Sequence, residues 1–156
     1  MKNILVLDNI RSILNVGAIF RTADAVGVDE VILVGTTPTP TDRFGRDRED
    51  LHKTALGAEK TVSWKYLEND QILDFLVSLQ KNNFNIVSLE QDNKSINYKE
   101  IKKTDKQVLV LGHETEGVSK NILEISNQIT EIPMRGSKES LNVSVSAGIM
   151  MYHLFD

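Results

Sequence analysis

Short apolar, β-branched runs alternate along this chain with stretches of helical period, and that alternation restricts the fold more than any other feature. Ile4–Leu7, Val31–Val34, Thr61–Trp64, Phe84–Leu89, Val108–Leu111 and Ile129–Ile132 read as six strands. Between the first two, Val16, Ile19, Phe20, Ala23 and Val26 recur at the 3, 4 and 7 spacing of an amphipathic helix, and Gly27 supplies its stop. A short helical piece surrounds Leu51–Leu56. Ile72, Leu73, Phe75, Leu76 and Leu79 mark another helix, and Val143, Ala147, Met150, Met151 and Leu154 mark the last. The pattern predicts an α/β domain with a mostly parallel six-stranded sheet and helices on both faces. The polar passage from Gly35 to Asp50, broken by Pro38, Pro40 and Gly45, is long for a connection, and long loops are commonly functional. Gln91–Lys106 carries no readable period.

A length of 156 residues suits one domain over 1–156. The absence of cysteine excludes a disulfide framework, a thiolate metal site and a cysteine nucleophile, and three scattered histidines do not suggest a metal site. The net charge of −4, taken alone, leans away from nucleic acid and towards small-molecule chemistry. No run approaches the roughly 18 apolar residues of a membrane span. Asp8 and Arg11 interrupt the first apolar run too early for a signal peptide, so a cytoplasmic protein without membrane association is expected.

In open α/β sheets ligands bind beyond the carboxyl ends of the strands, and three loops dense in glycine and small polar residues leave such ends. In the first, Gly17 permits close approach, Asn15 offers both donor and acceptor, and Arg21 can present a planar fork to a phosphate. The blander alternative makes Asn15 a helix cap and Arg21 a solvated helix residue. The second, Leu111–Ser119, holds Gly112 and Gly117 between a strand and a helix, a tight turn whose amides can face a ligand. Neither a Walker A nor a GxGxxG pattern is present, and Glu114 and Glu116 oppose a triphosphate. A plain β-α turn is the alternative. In the third, Ile132–Gly148, Ser140 and Asn142 flank the apolar Leu141. Both can be helix caps, whereas Leu141 suits a backbone that grips an adenine while its neighbours face a second substrate.

Together, Asn15-x-Gly17-x-x-x-Arg21, Gly112-x-Glu114-x-x-Gly117 and Ile132-Pro133-Met134 with Ser140-Leu141-Asn142-Val143-Ser144 resemble the SpoU, or TrmH-like, branch of the SPOUT RNA methyltransferases. Lys53–Glu59 is similar to that family's connector. The resemblance implies methyl transfer from S-adenosylmethionine to a ribose 2′-hydroxyl of structured RNA, without a metal. It also implies a SPOUT fold with a C-terminal deep trefoil knot, which the reading of elements alone would not propose because knots are nearly absent from proteins. A homodimer is implied, with the C-terminal helix in the interface; its Met150/Met151 surface is apolar enough for that, although an intramolecular core would look the same. Residue by residue, Leu89, Gly112, Ile132 and Leu141 match the cofactor-binding positions, and Asn15, Arg21, Glu114, Ser140 and Asn142 match positions around the reacting centre. His113 and Thr115 receive no role.

Arginine is effectively always protonated, so Arg21 is expected to hold a phosphate and stabilise the developing alkoxide while a phosphate or water takes the proton. Asn15 and Asn142 would orient the ribose, and Ser140 would set the turn beside it. On an acidic chain the RNA contacts must be local. The candidates are Arg43, Arg46, Arg48 and Lys53, with Arg11, Arg135 and Lys138 near the other motifs. Because no appended RNA-binding domain is expected, a dimer would have to build the RNA site. The favoured substrate is tRNA. The alternatives are ribosomal RNA methylation and a catalytically idle RNA-binding or ribosome-assembly module.

Overall fold

The apolar runs become the strands of one sheet in the computed structural model, which describes all 156 residues. The strands are β1 (Lys2–Asp8), β2 (Glu30–Val34), β3 (Ser63–Leu67), β4 (Asn85–Leu89), β5 (Ile96–Asn97), β6 (Lys106–Gly112) and β7 (Gln128–Glu131). The α-helices are α1 (Ile13–Val26), α2 (Glu49–Ala55), α3 (Ala58–Thr61), α4 (Ile72–Lys81), α5 (Lys120–Ile125) and α6 (Val143–Phe155). The strand order is β3-β2-β1-β6-β4-β7-β5, and every pairing is parallel. All carboxyl ends therefore lie along one edge. β6 is inserted between β1 and β4, so the chain returns to the middle of the sheet after forming its outer part.

Alternation along each strand sends successive side chains to opposite faces. Leu5, Leu7, Val31, Leu33, Val87, Leu109 and Leu111 pack with α1, α2, α3 and α6 in a cluster of 24 buried residues. Ile4, Val6, Ile32, Val34, Ile86, Val108 and Val110 pack with α4 and α5 in a cluster of 12. Burial on both faces is why the central strands read as continuous apolar runs. The expected two-sided layering is found.

The sheet has seven strands rather than six. The additional one, β5, has two residues, pairing Ile96 with Thr130 and Asn97 with Glu131 of β7. A strand that short shows no alternation, and it lies in the stretch where no period was readable. The third strand begins at Ser63 rather than Thr61, because Thr61 closes α3. Helix α5 had no counterpart in the sequence reading. Gly27 does end α1, with φ 82° and its N–H donating to Ala23 O at 3.0 Å. Ser12, not Asn15, caps the start of α1: its side chain accepts from the Asn15 amide at 3.3 Å. Met150 and Met151 are fully buried. They form part of the chain's own core, so the apolar surface expected there for a partner is not available. No helix is long and apolar enough to cross a membrane.

Candidate functional site

A cleft of ≈ 460 Å³ opens at the carboxyl ends of β4, β6 and β7. The loops after these strands wrap it, as expected for a parallel sheet. Leu89, Gly112, Ile132 and Leu141 all line it, and so do Glu114 and Ser140. Six of the nine residues assigned to cofactor or chemistry are thus gathered from three loops far apart in sequence.

The central loop is tightly folded. His113 and Gly117 exchange backbone hydrogen bonds, at 3.1 Å from the His113 amide and 2.9 Å from the Gly117 amide. A Cβ on Gly112 would lie 2.3 Å from both Gly117 C and Val118 N, so only glycine lets the strand end pass that close to the returning chain. The His113 ring does more than the sequence suggested: Nδ1 accepts from the Thr115 and Glu116 amides, both at 3.1 Å. Two further carboxylates hold the loop. Glu90 accepts from the Val118 amide at 2.8 Å and from the Gln91 amide at 2.9 Å. Asp8, buried at the end of β1, accepts from both the amide and the hydroxyl of Ser119 at 2.7 Å. Sequence reasoning missed His113, Glu90 and Asp8, because their partners are backbone amides that carry no residue-specific signal.

The electrostatics of the cleft are one-sided. Glu90, Glu114, Glu131 and Glu139 line it, and no lysine or arginine does. Such a cavity repels a polyphosphate and suits a ligand with a positive centre.

Asn142 lies just outside, one residue beyond Leu141. It caps α6, its Oδ1 accepting from the Ser144 amide at 2.9 Å and the Ser144 hydroxyl at 2.6 Å. Its Nδ2 donates to Asn15 Oδ1 at 3.2 Å, so the capping role and the pairing with the first motif coexist in one side chain. Ser140 is exposed and caps nothing. Gly17 is buried, and a Cβ there would lie 2.5 Å from Leu51 O. The close approach it permits is therefore by helix α2 and not by a ligand.

Arg21 does not join the cleft of its own chain. Six residues advance a helix by about 9 Å and turn it by about 240°, so Arg21 and Asn15 cannot share a face of α1. Arg21 is exposed, in a shallow depression with Lys53, Thr54 and Tyr152. The other basic candidates fall into separate groups. Arg11 is exposed before α1, and Arg135 and Lys138 are exposed on the loop between β7 and α6. Arg43 and Arg46 are exposed in the loop after β2, where Arg46 Nε pairs with Asp42 Oδ2 at 2.9 Å. Arg48 is half-buried, and its Nε is buried without a partner. The Arg46 amide holds the Asp42 carboxyl below its ordinary pKa; burial opposes this, and the Phe44 amide and Arg46 side chain reinforce it.

The model of the SpoU rRNA Methylase family matches residues 2–152. The tRNA (guanosine(18)-2′-O)-methyltransferase of Aquifex aeolicus is 34% identical over 150 residues, covering 96% of this chain and 66% of that enzyme. The crystal structure of the A. aeolicus TrmH/SpoU tRNA modifying enzyme superposes with a TM-score of 0.84 at 32% identity, covering 97% of this chain and 73% of that one. The AdoMet-bound rRNA methyltransferase of Sinorhizobium meliloti also gives 0.84, at 27% identity, covering 97% of this chain and 55% of that one. The chain spans about three fifths to two thirds of the length of the curated relatives it matches.

Proposed function

The chain belongs to the SpoU rRNA Methylase family, and from that membership we propose that it transfers a methyl group from S-adenosylmethionine to a ribose 2′-hydroxyl of RNA, with tRNA as the favoured substrate. The observation that carries the reading is the convergence of Leu89, Gly112, Glu114, Ile132, Ser140 and Leu141 on one acidic cleft at the strand ends. Four glutamates without a lysine or arginine fit a sulfonium cofactor better than a nucleotide polyphosphate. Leu89, Gly112, Ile132 and Leu141 would hold the cofactor. When bound, it supplies an electrophilic methyl on a positively charged sulfur. The A. aeolicus relatives, both described as acting on tRNA, favour that substrate.

A ribose hydroxyl is a weak nucleophile and must be oriented and stabilised as it loses its proton. The Asn15–Asn142 pair presents amide groups at the edge of the cleft and orients the ribose. Ser140, which makes no capping bond, lines the cleft beside it, and Glu114 adds negative charge where a cation binds. Arg21 binds the flanking phosphate with its planar fork and stabilises the developing alkoxide. The proton passes to a phosphate oxygen or to water.

Arg21 lies outside the cleft of its own chain, and this supports a homodimer in which a second copy completes each site. Leu14, Val145 and Tyr152 are exposed to 52%, 51% and 51% on α1 and α6, apolar surface of the kind a partner covers. Insertion of β6 between β1 and β4 is compatible with the C-terminal segment being threaded as a deep trefoil knot, which belongs to the same reading. So do a single catalytic domain over residues 1–156 and a cytoplasmic location. Arg11, Arg43, Arg46, Arg48, Lys53, Arg135 and Lys138 serve as RNA contacts.

The test is incorporation of label from methyl-labelled S-adenosylmethionine into bulk tRNA and ribosomal RNA, with calorimetry of cofactor binding. The unaltered chain is expected to label tRNA, and Gly112→Ala is expected to lose cofactor binding and labelling together. No label in either RNA overturns the reading.

A further inference from the structure

The loop between β2 and α2 ends in a hairpin tip, Asp42–Asp47, that presents a phenylalanine to water. Phe44 is 66% exposed, an unfavourable placement for so large an apolar side chain. The tip is nonetheless rigidly built. Asp42 N–H donates to Arg46 O at 2.8 Å, and Gly45 N–H donates to Asp42 O at 2.9 Å, with Gly45 at φ 76°. The Asp42 carboxylate accepts from the Phe44 amide at 2.8 Å, from the Arg46 amide at 3.0 Å and from Arg46 Nε at 2.9 Å. Five hydrogen bonds therefore fix one exposed ring. The guanidinium carbons of Arg43 and Arg46 lie 4.8 and 5.0 Å from its centroid. Arg46 is neutralised by Asp42, whereas Arg43 has no carboxylate partner.

We propose that Phe44 is a stacking platform for an unpaired base of the RNA substrate, with Arg43 as the cation for the adjoining phosphate; this rests on the RNA-methylation reading above. Every nucleobase has a π-face, and aromatic side chains flanked by arginine bind single-stranded segments by stacking and charge together. A base that takes one face of the ring exchanges with a guanidinium already held there by cation-π attraction. Arg43 is the side chain free to leave. The surroundings favour RNA over a protein partner: the neighbours of Phe44 are Asp42, Arg43, Gly45, Arg46, Asp47 and Arg48, and no second large apolar side chain is exposed in this loop. The buried core of a protein interface is depleted of charge, whereas five of these six neighbours are charged. β2 and β6 are separated only by β1 and all three are parallel, so the loop that carries Phe44 starts from the same sheet edge as the cleft, its first residue about 10 Å along it.

The experiment compares Phe44→Ala, Phe44→Leu and Phe44→Trp in the full chain, using methyl transfer to bulk tRNA with melting temperature and oligomeric mass as controls. Phe44→Ala and Phe44→Leu are expected to raise the KM for tRNA by roughly ten- to a hundredfold, with kcat at saturating tRNA changed less than the KM. Phe44→Trp restores the KM, and its added indole fluorescence is quenched by tRNA. An unchanged KM in Phe44→Ala, equal rescue by leucine and tryptophan, or a change of oligomeric mass each overturns the proposal alone. Absence of transfer by the unaltered chain to tRNA and ribosomal RNA overturns the methyltransferase reading and this proposal with it.

Discussion

At the scale of single residues, some side chains of the site do two things at once. Asn142 caps α6 and reaches Asn15 in the same conformation. Both uses were visible in the sequence, because capping and substrate contact draw on the same short polar residue types. Glu90, His113 and Asp8 were not visible, since each accepts backbone amides of the loop between β6 and α5. The Glu90–Val118 and Asp8–Ser119 contacts span 28 and 111 residues, beyond the reach of any local pattern. Arg21 lies between these cases: the motif identified it, while its distance from its own cleft follows from helix geometry. Replacing Arg21 by Lys keeps the charge and removes the planar fork. Turnover with tRNA is expected to fall at least tenfold while cofactor binding, followed by calorimetry, is unchanged. Near-normal turnover in that variant would refute the assigned role.

At the scale of elements, the long apolar runs were legible, and so were the edge strand β3 and the short helix α2, whereas β5 and α5 were not. β1, β2, β4 and β6 pack on both faces, so their sequence carries the burial signal throughout. β5 makes two pairings at the margin of the sheet, and α5 buries only Ile122. Neither has enough buried residues to write a period. The joint between α2 and α3 is held by a tertiary pair, with His52 Nδ1 2.6 Å from Glu59 Oε1 and the Gly57 amide donating to Glu59 Oε2 at 2.9 Å. Burial pushes the Glu59 carboxyl up, but the His52 hydrogen bond and backbone amides outweigh it and hold the pKa below the usual glutamate value. A depressed folded pKa contributes stability that is present above the unfolded value and lost as the pH falls through the folded one. Glu59→Gln is therefore expected to lower the melting temperature near neutrality and to converge on the parent in acid. Parallel melting curves of the two proteins from pH 7 to pH 3 would contradict this.

At the scale of the whole molecule, the layered architecture was legible, while the overall charge pointed away from the proposed function. The net charge of −4 leaned towards small-molecule chemistry, but the charge is distributed: the cleft is acidic, and the exposed arginines lie outside it, on loops and on α1. Averages over a chain do not report that segregation. The proposed homodimer is tested at the same scale. Tyr152→Glu places a charge on the exposed face of α6, and light scattering is expected to show its mass falling from twice 17.5 kDa to a single chain, with loss of transfer. Mixing Arg21→Ala with Asn142→Ala chains is expected to restore measurable transfer, because a mixed dimer regains one complete site. Inactive mixtures would place both residues in the same protomer's site.

The most direct test of the central claim is chemical. The chain is incubated with S-adenosylmethionine and bulk tRNA, the RNA is hydrolysed in alkali, and the products are resolved by mass spectrometry. The account predicts a dinucleotide that resists alkali and carries its methyl on the ribose, since a blocked 2′-oxygen cannot attack the neighbouring phosphate. A methyl found only on a base, or no methylated product from tRNA or ribosomal RNA under conditions where the cofactor binds, would contradict it.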